Sequence, residues 1–242
     1  MNPSPPVALL ACEVFSSEIA LHAREDTHIV ETRWLEVGLH DQPDNLRRAL
    51  QREVEALDAR DDIQAIVLAY GLCGLGTAGL TASRHPLVIA RAHDCITVFL
   101  GSKEAYADCQ RRCPGCHYYT PGWNRERRVP GPDRTEMLRA RFSEKFDPED
   151  VEFLLETERE QWNHGGPAIY MHLGTPEAAA EEAYARRCAD WLGWEFESIA
   201  GDPQLLRDLL HGPWDEARFL VVPPGQAIRH APDESILRAQ PV

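Results

Sequence analysis

Three of the seven cysteines stand in the same kind of place in the sequence. Cys12 ends the apolar run Val7-Ala-Leu-Leu-Ala-Cys12. Cys73 follows Ala65-Ile-Val-Leu-Ala-Tyr70, and Cys95 follows Pro86-Leu-Val-Ile-Ala90. Unbroken runs of this length, rich in β-branched residues, read as strands covered on both faces, the pattern of a parallel sheet. Helical patterns follow each run, so the three thiols belong at the carboxyl edge of one sheet, where open α/β sheets build their sites. Three thiolates there suit an iron–sulfur cluster with one open iron, or a zinc ion completed by a fourth ligand. His93 and Asp94 are the nearest candidates for that fourth place. The plain alternative is that three small cysteines simply pack at strand ends.

Around these thiols lie other chemistry-bearing residues. Arg91-Ala-His-Asp-Cys95 sets a guanidinium, an imidazole, a carboxylate and a thiol within five residues. Were the strand to continue, Arg91, His93 and Cys95 would point to one side, and Cys95 could act as a nucleophile activated by His93. Arg91, His93 and Asp94 are thus the candidate catalytic groups. Gly71, Gly74 and Gly76, followed by Thr77, surround Cys73 and are the candidate cofactor-binding residues. Glycines let backbone approach a ligand closely and can aim N–H groups at sulfur or an anion. The stretch lacks the Gly-Lys-Ser/Thr ending of a Walker loop and the spacing of a dinucleotide fingerprint.

A second group, Cys109-x-x-x-Cys113-Pro-Gly-Cys116-His117, has the spacing of the radical-SAM motif, and its Cys-Pro-Gly-Cys resembles a zinc or rubredoxin knuckle. It lies mid-chain rather than after a first barrel strand, and no second cysteine pair accompanies it. Cys109, Cys113 and Cys116 are therefore a second candidate metal site, a redox-active group, or unligated thiols. Cys188, in an alanine-rich helical pattern, reads as core.

The elements that must position these residues are those of a three-layer α/β fold with Rossmann-like parallel sheet. A helix is expected over Glu13 to Arg24 with Ser16 or Ser17 as cap, a strand over Trp34 to Leu39, and a helix capped by Asp44 running to Leu57. Residues 109–134, with their prolines, glycines and arginines, read as loop around the aromatic turn Tyr118-Tyr-Thr-Pro-Gly-Trp123. Helices follow over Thr135 to Phe146 and Pro148 to Trp162, the second capped by Asp147. The last third then repeats the order of the first, with strands over 168–174, 194–199 and 218–225. The expected division is an N-terminal lobe over 1–108 carrying the cysteine site, an insertion over 109–165, and a C-terminal lobe over 166–242. Two pseudo-repeated β-α-β-α-β lobes would result.

The 242 residues are 43% hydrophobic and 26% charged, with a net charge of -14. That acidity argues against nucleic acid and anionic membrane as partners, since phosphate contacts need clustered Lys and Arg. One basic island, Arg111 to Arg141, could receive an anion or an acidic partner surface. Met1-Asn-Pro-Ser-Pro-Pro leads straight into a strand, no secretory leader is evident, and no apolar run has spanning length, so a cytoplasmic location is expected. In a reducing compartment, cysteines point to metal or redox chemistry before disulfides.

The chain resembles a family catalogued as domain of unknown function 1638. The resemblance rests on Tyr70-Gly-Leu-Cys-Gly-Leu-Gly-Thr77, on Pro86-Leu-Val-Ile with Ala92-His-Asp-Cys-Ile-Thr-Val-Phe-Leu-Gly-Ser102, on Tyr118-Tyr-Thr-Pro-Gly-Trp123, and on Gly201-Asp with Phe219-Leu-Val-Val-Pro-Pro-Gly225. It implies no established activity. Members often lie near corrinoid-dependent methyltransferase systems, which implies an accessory or methyl-transfer role with a corrinoid protein or methyltransferase as partner. The family pattern takes in Cys12, Cys73 and Cys95, whereas Cys109, Cys113 and Cys116 are an elaboration of this chain. By fold-level analogy, quinolinate synthase and the 2-hydroxyacyl-CoA dehydratases also hold a 4Fe-4S cluster on thiolates at strand ends. The expectation is a metal-binding iron-sulfur protein with a redox or accessory role. A zinc–thiolate methyltransferase-type enzyme and a non-catalytic binding protein, docking through Arg125, Arg127 and Arg128, are the alternatives.

Overall fold

The computed structural model describes residues 5–23, 28–162 and 166–242. The first apolar run forms β1 (Val7–Cys12), and the later two form β3 (Ala65–Ala69) and β4 (Leu87–Ala90); all three are buried along their whole length. With β2 (Ile29–Leu35) they make a parallel set, closed by β8 (Phe219–Val222), in the order β2-β1-β3-β4-β8. β8 runs antiparallel to β4, pairing Leu87 with Val222. Continuous aliphatic runs are what strands covered on both faces require.

Several elements sit where their residues predict and others are displaced. The second strand is centred earlier than expected, on Ile29–Leu35 instead of Trp34–Leu39. It is an edge strand with Val30 and Trp34 facing out, so its pattern is mixed rather than continuously apolar. Gly38, at φ 95°, then turns the chain. Helix α1 (Ser16–His22) has no side-chain cap: the Ser16 hydroxyl instead donates to the Glu13 carbonyl at 2.7 Å. Arg24, the end of the expected helix, lies outside the described residues. Helix α2 (Pro43–Asp58) starts one residue before Asp44, with Pro43 in its first turn, and buries Leu46, Leu50, Val54 and Leu57. After β4 the chain forms two helices, α3 (Cys95–Leu100) and α4 (Lys103–Arg112), broken at Gly101 with φ 82°.

The chain divides into two compact units, one from residues 1–106 and 201–242, the other from 107–200. This differs from the expected lobes because the last third does not form a repeat of its own. Helix α9 (Gln204–His211) and β8 belong to the first unit, as does the hairpin of β9 (Gln226–His230) and β10 (Leu237–Pro241). The pairing of β8 with β4 joins positions more than a hundred residues apart, which local patterning does not encode.

The second unit holds a parallel three-stranded sheet, β5 (His117–Tyr119), β6 (Ala168–His172) and β7 (Phe196–Ala200), in the order β5-β6-β7. The expected loop over 109–134 thus contains a strand and the short helix α5 (Pro121–Asn124). Helices α6 (Pro132–Ser143), α7 (Pro148–Gln161) and α8 (Ala178–Leu192) complete the unit. Asp147 caps α7 as expected, accepting from the amides of Glu149 and Asp150 at 3.1 Å each. Cys188 is fully buried in the core with Tyr119, Tyr170 and Ala185. Both units are α/β with Rossmann-like parallel sheet.

One buried polar group fixes the loop entering β4. Asp58, at the end of α2, accepts from the amides of Ser83, Arg84 and His85 at 2.8, 3.1 and 2.9 Å, and its carboxylate meets His85 Nδ1 at 3.2 Å. Burial alone would raise its pKa, but these donors outweigh burial and hold it below the ordinary value. The stabilisation is therefore present above the usual carboxylate range and is lost as pH falls through the depressed folded-state pKa. Asp58→Ala should cost on the order of 2–3 kcal/mol in denaturant unfolding at pH 7. That difference from the unsubstituted chain should shrink as pH falls through the depressed folded-state pKa of Asp58; a difference that did not change with pH would contradict the role given to this carboxylate.

Candidate functional site

The carboxyl edge of the first sheet gathers its thiols through strand register. Ala11 pairs with Ala69 and Leu68 with Ile89, so Cys12 is level with Tyr70, and the turns carrying Cys73 and Cys95 leave the sheet side by side. The amide of Leu72 donates to the Ala92 carbonyl, and that of Cys73 to the His93 carbonyl, both at 2.9 Å. Gly71 is required here, because a Cβ would lie 2.7 Å from the Asp94 backbone. The Thr77 hydroxyl, fully buried, ties the loop back by donating to the Gly71 carbonyl at 3.1 Å.

Within this edge the surroundings of two sulfurs are alike. Cys73 Sγ faces the backbone N–H groups of Gly71 and Cys95, and Cys12 Sγ faces the N–H of Val14 and the hydroxyl of Tyr70. The two thiols act on each other electrostatically, and both act on Tyr70. Tyr70 is 3% exposed; its hydroxyl interacts with Cys12 yet completes no hydrogen bond of ordinary distance and angle. Burial pushes Cys12 up to about 11 and Cys73 up to about 12, against the pull of those N–H donors. The donors suit an electron-rich sulfur, while burial keeps each sulfur protonated unless a cation replaces the proton.

Cys95 opens α3, and its own amide is one of the donors to Cys73. Its thiol is thus within a few bonds of the Cys73 sulfur. Even so, among the described residues no group of three His, Cys, Asp or Glu side chains is arranged to hold a single metal ion. The donor chemistry fits a soft metal, with the three thiols on neighbouring turns at one edge of the sheet.

The other expected site residues have evident structural roles. The strand ends at Ala90, so Arg91, His93 and Cys95 do not share a strand face as anticipated. Arg91 donates to the carbonyls of Glu216 at 2.8 Å, Ser235 at 2.9 Å and Leu237, strapping the C-terminal segment to the sheet. Asp94 caps α3, accepting from the Thr97 amide at 3.0 Å and its hydroxyl at 3.2 Å. His93 is exposed, with its ring 6.0 Å from that of Tyr106. A Cβ on Gly76 would strike Leu46, and Gly74 takes φ 63° at the tip of the loop. Cys73 and Leu75 adopt φ 48° and 74°, a left-handed conformation that costs non-glycine residues on the order of 1–3 kcal/mol. Sequence reasoning missed Tyr70, whose signal was its place directly before the glycine-rich turn.

In the second unit Cys109, Cys113 and Cys116 come together around Tyr118. The Tyr118 hydroxyl donates to Cys109 Sγ at 3.1 Å and also contacts Cys116, which in turn contacts Cys113. The basic island is largely spent within its own unit. Arg127 pairs with Glu181 at 2.9 Å and lies over the Tyr184 ring, Arg134 pairs with Glu158 at 2.6 Å, and Arg139 pairs with Glu152.

With the protein metal-free, the raised thiol pKa values make a direct prediction. At pH 8, Cys12 and Cys73 should alkylate roughly 100-fold or more slowly than the same cysteines in the unfolded chain, as peptide mapping would read. Equal rates in the folded and unfolded chain would contradict the buried placement.

No helix among the described residues is long and apolar enough to cross a membrane. Neither a curated protein nor a solved structure matches the chain. A family model described as "Protein of unknown function (DUF1638)" matches residues 34–210, which takes in Cys73, Cys95 and the second cysteine group and begins after Cys12. Since that match spans well over half of the 242 residues, the chain belongs to the DUF1638 family.

Proposed function

We propose that this chain is a metal-binding protein whose Cys12, Cys73 and Cys95 serve one iron–sulfur centre at the carboxyl edge of the first sheet. The observation that carries the reading is that Cys12 and Cys73 each have backbone N–H groups turned toward their sulfur while burial disfavours the thiolate. An unligated thiol gains little from such donors, whereas a metal-bound thiolate gains charge-assisted hydrogen bonds that tune its centre. A zinc–thiolate centre on the same donors is the alternative reading.

The chain's residues would then divide the work. Cys12 and Cys73 bind, and Cys95 joins them from the start of α3. The Gly71, Cys95 and Val14 amides would donate to the ligated sulfurs, and the Tyr70 hydroxyl, which completes no ordinary hydrogen bond, would gain one. Apolar strand ends keep water from Cys12, which is 9% exposed, while Cys73 is partly exposed on its loop. A cluster with an iron lacking a protein ligand supplies electron transfer or a Lewis-acid site. Either suits a redox or accessory role, and the family resemblance adds corrinoid-dependent methyl transfer as its setting, with a corrinoid protein or methyltransferase as partner. A location in the cytoplasm, where oxygen-labile clusters persist, belongs to the same proposal.

Protein reconstituted anaerobically with ferrous iron and sulfide should turn brown and retain iron and sulfide in similar amounts after desalting. Cys73→Ser should lose most of both while Cys188→Ala, in the other unit, keeps them. Colourless protein without iron would overturn the proposal. Zinc retained through dialysis and lost in Cys73→Ser would replace it with the zinc–thiolate reading.

A further inference from the structure

We propose that Cys113 and Cys116, in the second unit, form a thiol–disulfide exchange site that reacts with the disulfide of a small thiol, independently of the cysteines at the first sheet's edge. The two residues flank the Pro114-Gly115 turn, which the Cys116 amide closes on the Cys113 carbonyl at 3.4 Å, with Gly115 at φ 80°. The turn thus sets the two thiols three residues apart on one tight loop, where the Cys113 thiol acts on that of Cys116. The third cysteine is set apart from this pair. Cys109 is 2% exposed on α4 and its sulfur is engaged by the Tyr118 hydroxyl at 3.1 Å. Gln110 in turn donates to that hydroxyl at 3.3 Å, holding the phenol in place. His117 is occupied too, stacked on Trp194 at 4.8 Å with Trp162 against its edge at 5.0 Å.

Both cysteines are partly exposed, and their neighbours distinguish the roles. Cys113 sits among exposed residues, Arg111 and Arg112 before it and Pro114 and Gly115 after it. The two arginine side chains remain 70% and 54% exposed while pairing with Asp108, so they offer positive charge to an anionic disulfide such as oxidised glutathione. Cys116 has Tyr118 and Cys113 around it and leads directly into β5 at His117. Cys113 is accordingly the attacking residue and Cys116 the resolving one.

The exchange balances in two steps. The Cys113 thiol gives up its proton and its sulfur attacks one sulfur of the small disulfide. The S–S bond breaks, a mixed disulfide forms, and the first small thiolate leaves to be protonated. Cys116 then loses its proton and attacks the Cys113 sulfur, forming the Cys113–Cys116 bond and releasing the second small thiol. Two thiols of the protein are oxidised and one small disulfide is reduced to two thiols.

Tryptic cleavage after Arg111 and Arg112 separates Cys109 from a peptide, residues 113–125, that contains both Cys113 and Cys116. The full chain is incubated anaerobically with oxidised glutathione, alkylated and mapped. The 113–125 peptide should be unalkylated and lighter by two hydrogen atoms, in the unsubstituted chain and in Cys109→Ser alike. Cys116→Ser should instead accumulate one glutathione on Cys113, and Cys113→Ser should leave Cys116 unmodified. A cross-link between the Cys109 peptide and the 113–125 peptide would overturn the proposal. So would a dithiol that persists in excess oxidised glutathione, or a zinc ion that must be chelated before either thiol reacts. Repeating the map in Cys73→Ser should give the same result, which separates this site from the proposed cluster.

Discussion

Two backbone hydrogen bonds set the terms for the first site. By donating to the carbonyls of Ala92 and His93, the amides of Leu72 and Cys73 continue the β3–β4 ladder past the last strand residues. The two cysteine-bearing turns leave the sheet locked together, and the close contact of Gly71 with the Asp94 backbone leaves no room for any other residue. Cys12 needs no such device, since the register of β1 with β3 already brings it beside Tyr70. Sulfurs from three distant stretches of sequence thus come to one edge through main-chain geometry, with side chains adding only the final contacts.

That edge is costly to build and the cost falls on the loop. Left-handed backbone at Cys73 and Leu75, two thiols out of water and a tyrosine hydroxyl without a well-formed hydrogen bond are each unfavourable. They persist because the fully buried strands on either side and the Thr77 tie over-determine the loop. The second unit treats its cysteines differently. One is sequestered by a phenol and two flank a tight turn, both partly exposed, an arrangement suited to exchange rather than to a buried centre.

Much of the fold was legible because it is local. Val7–Cys12, Ala65–Ala69 and Leu87–Ala90 are apolar throughout and could only be interior strands, and Asp147-Pro-Glu-Asp marks a helix start that the structure keeps. Long-range pairing was not legible. Nothing in Phe219–Val222 signals that it returns to run antiparallel beside β4, and the apparent repeat of the first third in the last dissolved for that reason. The edge strand β2 was misplaced because Val30 and Trp34 face out and Glu31 and Arg33 interrupt it, so no continuous apolar run marks it. Arg91 illustrates a further limit: its place beside His93 and Cys95 suggested chemistry, but its partners are three carbonyls from residues 216–237, remote in sequence. Tyr70 stood in plain view, yet its relation to Cys12 emerges only from the β1–β3 register.

The central claim is that the sulfurs of Cys12, Cys73 and Cys95 ligate one centre, and X-ray absorption at the iron edge addresses it most directly. The anaerobically loaded chain, with Cys113 and Cys116 both replaced by serine, should show a first coordination shell dominated by sulfur. Replacing Cys12, Cys73 or Cys95 in turn should remove sulfur from that shell or abolish iron binding. A shell of nitrogen and oxygen, or one unchanged by all three replacements, would contradict the account.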